Sequence, residues 1–201
     1  MKVPELLVLD RDGTLVDVVR DEETGTVHTA FHPRQLRLLP GVVEGLRRAR
    51  EAGCLLAIAT NQPGPAKGQV SAAAVGATNA ALVAMLADAG APIAAVEACM
   101  HHPDGGPGGD ASLVGPCFCR KPLAGMLTTI LQRLGVAAGD AWMIGDTATD
   151  VQAGRAASLR TALVFAAGRC ELCPLREGPS AQPDLFAPTF DAVIEAILRT
   201  G

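Results

Sequence analysis

Short unbroken apolar runs alternate along this chain with longer stretches in which apolar residues recur at helical spacing. The runs at 5–9, 54–59, 94–99, 141–145 and 161–166 have the length of buried strands, and the stretches at 41–52, 71–89, 123–134 and 149–157 have the period of helices. Strands and helices in regular alternation predict an α/β fold: a doubly wound, mostly parallel sheet. Punctuation agrees with the periods. Gly41, Gly53, Gly90 and Gly135 fall at helix ends, Ser71 opens the alanine-rich helix, and Pro122 blocks backward extension of the helix that follows it. From Pro179 to Pro188 the pattern is that of a loop with a short strand near Leu185-Phe186, before a last helix at about 190–199. There is no internal repeat, and 201 residues suit one domain, 1–201.

Composition narrows the class. Hydrophobic residues make up 49% and charged residues 19%, with a formal net charge of −4, so a polyanion-binding surface is not expected and neither is a nucleic-acid partner. No apolar stretch is long enough to span a bilayer, and the first residues lack a signal-peptide pattern. The expectation is a cytoplasmic monomer with no membrane partner. In that compartment six cysteines read as reduced thiols or metal ligands rather than as a disulfide framework.

Ligands of open parallel sheets bind beyond the carboxyl ends of the strands. Four strand ends here carry reactive sequences: Asp10-Arg11-Asp12, Thr60-Asn61-Gln62, Cys99-Met100-His101 and Gly145-Asp146-Thr147. An isolated Asp-x-Asp is most often a solvated acidic turn. At the end of a buried strand, where Gly13 turns the chain, the two carboxylates of Asp10 and Asp12 can instead share a cation and a phosphoryl group.

The segments Asp10-Arg11-Asp12-Gly13-Thr14, Thr60-Asn61-Gln62, Arg120-Lys121-Pro122 and Gly145-Asp146-Thr147-Ala148-Thr149-Asp150 occur in an order that resembles the haloacid dehalogenase superfamily of phosphohydrolases. The resemblance runs to about residue 166 and implies a Rossmann-like core. It also implies that Asp10 is the nucleophile and that Asp12 is the general acid and base. Thr60 and Lys121 would hold the phosphoryl oxygens. Catalytic Mg²⁺ would be bound by Asp10, Asp146 and the backbone carbonyl of Asp12. Asp150, one helical turn beyond Asp146, is expected to orient Lys121 or metal-bound water. No segment is long enough for a separate cap domain, so specificity should reside in loops.

Cys99-x-His101 and Cys117-x-Cys119 form two close pairs joined by a glycine- and proline-rich stretch. Such spacing fits either incidental buried cysteines or a closed tetrahedral site for structural Zn²⁺ with three thiolates and an imidazole. The position of Cys119, directly before Arg120-Lys121, favours zinc, because a metal clamp there would aim two cations at the site. His102 competes with His101, Cys54 reads as a core residue, and Cys170 and Cys173 as a reduced loop pair.

Within the superfamily, the zinc pattern joined to these motifs resembles two related branches, the heptose 1,7-bisphosphate 7-phosphatases and the histidinol-phosphate phosphatases. The longer loop before Cys117 resembles the heptose branch. A small phosphorylated sugar or amino-alcohol is therefore the expected substrate, with Asn61, Arg120, Lys67 and Arg20 as candidate contacts. Lys67 stands where the heptose branch usually has arginine, and Thr147 where it often has lysine. Residues 18–35 are longer and more charged than that branch leads one to expect.

Overall fold

A computed structural model describes residues 3–165 and 181–200, apart from residues 22 and 24. The expected reduced pair, Cys170 and Cys173, lies outside these residues. Six strands form one sheet: β1 (Leu6–Leu9), β4 (Leu55–Asn61), β5 (Ala95–Cys99), β6 (Ala141–Gly145), β7 (Arg160–Val164) and β8 (Leu185–Ala187). Their order is β5-β4-β1-β6-β7-β8, and every neighbouring pair is parallel. The chain winds outward from β1 through β4 to β5, then crosses back to β6 and winds the other way. Strand order thus reverses at β1, the position at which such sheets open a crevice beyond the strand ends.

Burial on both faces explains why the strands read as continuous apolar runs. Leu7, Leu9, Leu56, Ile58 and Ile144 point to one face, where they meet Leu46 of α1 (Val42–Glu51), Leu82 and Leu86 of α2 (Ala72–Asp88), and Ile194 and Ile197 of α5 (Phe190–Thr200). Leu6, Val8, Ala57, Ala59 and Met143 point to the other, against Met126, Leu127 and Ile130 of α3 (Gly125–Leu134) and Ala153 of α4 (Ala148–Ala156). After Leu55, the α3 face of β4 carries Ala57 and Ala59, whereas its opposite face carries Leu56 and Ile58. Side-chain size rather than polarity therefore distinguishes the faces, each buried leucine contributing roughly 1.5–3 kcal/mol. Gly45 lets α5 lie against α1, since a Cβ there would come 2.9 Å from Phe190 Cδ1.

Helix ends follow their capping residues. The Ser71 hydroxyl accepts from the Ala74 N–H at 3.1 Å and starts α2, and Gly135 ends α3 with φ of 67°. The third helix begins at Gly125, two residues later than its periodicity predicts. The Gly125 N–H is taken by the Phe118 carbonyl at 3.0 Å, which docks the cysteine loop on the first turn and keeps Leu123 and Ala124 out of the helix. Residues 18–35 contain an antiparallel hairpin, β2 (Val19–Asp21) with β3 (Thr26–His28), that the pattern did not predict. Three-residue polar strands carry too little alternation to register. His28 stacks on Phe31, ring centroids 5.1 Å apart, at the foot of the hairpin.

Candidate active site

The carboxyl ends of β1, β4 and β6 and the loop before α3 converge on a cluster of buried charge. Asp10 follows β1, and its backbone N–H remains paired with Ile144 at 2.8 Å. Lys121 comes from the loop before α3. Its ammonium contacts Asp10 Oδ1 at 2.6 Å, Asp150 Oδ1 at 2.6 Å and the Ala59 carbonyl at 2.8 Å. The lysine is only 3% exposed. Burial alone would push its pKa down, but the two carboxylates more than offset that and hold it above the ordinary lysine value.

Asp150 both caps a helix and anchors the lysine. Its Oδ2 accepts from the Thr147 N–H at 3.1 Å and the Thr147 hydroxyl at 2.6 Å, closing a capping box at the start of α4, while Oδ1 faces the ammonium as an ion pair. Asp146 lies across from Asp10, and its carboxylate rests on the Cα of Gly13, where φ is 87° and any Cβ would collide with it. The Asp146 Oδ1 is buried and has no hydrogen-bond partner. Burial and the neighbouring charges of Asp10 and Asp150 raise Asp146 to about 8. Asp10 rises to about 7, chiefly through burial, with Lys121 opposing the shift and Asp150 and Asp12 adding to it.

Four carboxylates, of Asp10, Asp12, Asp146 and Asp150, thus gather around two cations, Lys121 and Arg11. Asp10, Asp146 and Asp150 bring carboxylate oxygens within 4.8 Å of one another, a donor set that could hold a hard divalent cation. The excess negative charge and the orphaned Asp146 oxygen fit such an ion.

Near the end of β4, Thr60 is buried, and its Oγ1 accepts from Gln62 Nε2 at 2.9 Å, which leaves its own proton to be donated. Asn61 is spent on backbone: its Oδ1 accepts from the Lys121 N–H and its Nδ2 donates to the Lys121 carbonyl, both at 3.0 Å. That pairing locks the cysteine loop to the end of β4. Arg120 donates to the His101 carbonyl at 3.3 Å. Burial, then the charges of Lys67 and Arg120, lowers the pKa of His102. Arg20 is half exposed on β2 and paired with Asp17 at 3.2 Å.

Cys99, His101, Cys117 and Cys119 also converge within 4.8 Å and could hold a metal such as zinc. Cys99 Sγ lies 3.8 Å from Cys117 Sγ and 3.8 Å from His101 Nδ1. Ligand atoms about 3.8 Å apart are what a tetrahedron with ~2.3 Å metal–sulfur bonds requires. Cys119 is closer still, 2.8 Å from Cys99. His102 is outside this cluster, its Nδ1 accepting from the N–H groups of Asp104 and Gly105. The glycine-rich stretch is packed rather than loose. Gly106 and Gly109 lie against the backbone of Ala66 and Lys67, and the Asp110 N–H donates to the Pro65 carbonyl at 3.0 Å.

Sequence reasoning missed Arg11, Gln62 and Asn79 as members of the site. Arg11 is fully buried and grips Asp12, and Asn79 of α2 receives its Nη1 at 2.7 Å. The available signal was Thr78-Asn79 within the buried stripe Val75, Leu82, Leu86 of α2, where an unpaired amide would be costly. A hollow of about 510 Å³ between Pro65–Gly68, the start of α2 and Gly108–Asp110 contains none of the charged cluster.

Comparison with known proteins places this arrangement among phosphatases. The family model described as "HAD-hyrolase-like" matches residues 118–193. The D-glycero-beta-D-manno-heptose-1,7-bisphosphate 7-phosphatase of Pseudomonas aeruginosa is 33% identical over 184 residues, 90% of this chain and 94% of that one. The corresponding enzyme of Thermosynechococcus vestitus is 33% identical over 192 residues, covering 94% and 93%. Among solved structures, the D,D-heptose 1,7-bisphosphate phosphatase of Bordetella bronchiseptica, complexed with magnesium and phosphate, aligns over 100% of both chains with a TM-score of 0.77 and 29% identity.

Proposed function

This chain belongs to the haloacid dehalogenase-like phosphatases, and from that membership we propose a magnesium-dependent hydrolase that removes the 7-phosphate of D-glycero-D-manno-heptose 1,7-bisphosphate through an aspartyl phosphate on Asp10. The observation that carries the chemistry is the buried Asp10–Lys121 pair beside the cation-hungry oxygens of Asp146. The names of the relatives carry the substrate.

Asp10, Asp146 and the backbone carbonyl of Asp12 would hold the Mg²⁺. Bound there, the ion would keep the raised carboxylates ionised and draw charge from the phosphoryl oxygens. An Asp10 oxygen attacks phosphorus as the bond to the sugar oxygen breaks, and a protonated Asp12 delivers its proton to that leaving oxygen. Water then attacks phosphorus and gives its proton to Asp12, the bond to Asp10 breaks, and phosphate and the carboxylate of Asp10 are released. As the charge of Asp10 passes to the phosphoryl group, Lys121 can follow it, moving one hydrogen bond from the carboxylate to a phosphoryl oxygen. The free proton of Thr60 serves a second oxygen.

Arg120 and Lys67 supply positive charge for a second phosphate, with Asn61 acting through the backbone of Lys121 and Arg20 as a more distant contact. Cys99, His101, Cys117 and Cys119 would hold a structural zinc, which would fix the loop that carries Arg120 and Lys121.

The test is phosphate release from heptose 1,7-bisphosphate anomers and from histidinol phosphate, with and without Mg²⁺. Magnesium-dependent release that prefers the heptose substrate is expected, and Asp10→Asn should lower it by on the order of 10⁴-fold or more. Preference for histidinol phosphate would overturn the substrate. Equal release by wild type and Asp10→Asn would overturn the mechanism.

A further inference from the structure

A guanidinium with no exposed surface sits beside the acid and base of the reaction, and its hydrogen bonds fix how that carboxylate is presented. Arg11 Nε donates to Asp12 Oδ2 at 2.9 Å and Arg11 Nη2 to Asp12 Oδ1 at 3.0 Å, a fork that sets the plane of the carboxyl group. Gln62 Nε2 adds a bond to Oδ2 at 2.6 Å. A carboxylate has two acceptor sites on each oxygen. Oδ2 is therefore filled by two donors, and Oδ1 keeps one site. The fork is itself held from behind, with Arg11 Nη1 donating to Asn79 Oδ1 at 2.7 Å and Nη2 to the Ala30 carbonyl at 3.1 Å. The strap at Ala30 also touches the same helix, where the Thr78 hydroxyl shares its one proton between the Ala74 carbonyl at 2.9 Å and the Phe31 carbonyl at 3.1 Å.

We propose that Arg11, braced by Asn79, is a positioning residue that orients Asp12 so that Oδ1 is the oxygen exchanging the proton with the leaving group and later with water. The inference rests on the reading of Asp12 as acid and base. A buried guanidinium could have been satisfied by backbone carbonyls alone. Here three of its four hydrogen bonds go to side chains, two of them to the one carboxylate that must move a proton. Lysine in its place would keep a charge but lose the fork.

Proton delivery matters for an alkoxide and little for a good leaving group, so the role is read from leaving-group dependence. Phosphoenzyme formation in a single turnover would be timed by rapid quench with a sugar phosphate and with p-nitrophenyl phosphate, at saturating Mg²⁺. Arg11→Lys is expected to slow phosphorylation from the sugar phosphate by about 10–100-fold while leaving that from p-nitrophenyl phosphate within about threefold. Asn79→Leu, which removes the brace but not the guanidinium, should give the same asymmetry at smaller size and serves if Arg11→Lys does not fold. Equal slowing with both substrates, or slowing with neither, would overturn the proposal. Asp12→Asn separates the two readings: if it shows no asymmetry either, Asp12 is not the acid and the failure lies there.

Discussion

Lys121 illustrates how a single side chain can carry both catalysis and folding. It neutralises Asp10 and Asp150 in an environment with almost no water, so its loss would strand two carboxylates rather than merely remove a contact. Removing one partner of such a buried pair costs about 3–5 kcal/mol. Lys121→Met should therefore destabilise the protein by about that amount in urea unfolding at pH 7.5, and by clearly less at pH 5, where Asp10, with its pKa raised to about 7, is protonated and no longer needs the cation. A loss that is the same at both pH values would place the lysine's contribution in packing instead. Most of these residues could be located from the sequence because strand ends are where such sheets present chemistry. Several of their partners could not, since Arg11 Nη1 and the amide Nδ2 of Asn61 find acceptors 68 and 60 residues away along the chain, respectively.

At the scale of elements, the loop from β5 to α3 decides whether Lys121 has a fixed position at all. Its two ends are drawn together by Cys99, His101, Cys117 and Cys119, its middle packs against the backbone of Ala66 and Lys67, and Asn61 pins Lys121 to β4. Burial pushes the thiol of Cys99 well above its usual range, and among its nearest partners in the cluster is Cys119 Sγ at 2.8 Å. Binding of zinc there would exchange thiol protons for metal–sulfur bonds. Purified protein should contain one zinc per chain by elemental analysis. Cys117→Ser should weaken zinc binding by more than the ~10–100-fold that loss of an outer-shell partner costs, and should lower kcat through Lys121. Zinc-free wild type with full activity would remove the clamp from the account. The cysteine spacing made this cluster legible in the sequence, and the apolar runs did the same for the sheet. The hairpin at 19–28 was not legible, because three-residue strands leave too few positions to reveal alternation.

The molecule as a whole concentrates uncompensated negative charge at one point of an otherwise apolar two-faced sheet, and its response to pH follows from that. Asp10 and Asp146 have folded pKa values of about 7 and about 8, well above the ordinary carboxyl value near 3.8. When folding raises a pKa, the protonated form is favoured in the native state. The stability so gained is complete below the unfolded pKa and is lost as pH rises through the folded one. Without a divalent cation, the melting temperature should therefore fall between about pH 4 and pH 8 and level off beyond. Magnesium reverses the loss by binding the ionised carboxylates, with a gain that reaches about 2.7 kcal/mol at a concentration 100 times its dissociation constant. Because protons compete for the same oxygens, the rise in melting temperature on adding Mg²⁺ should be larger at pH 8.5 than at pH 6. Calorimetry at the two pH values, with and without Mg²⁺, measures it directly. An equal rise at both would mean that the ion does not displace protons from Asp10 and Asp146, and that their raised pKa values belong to the fold rather than to a cation site.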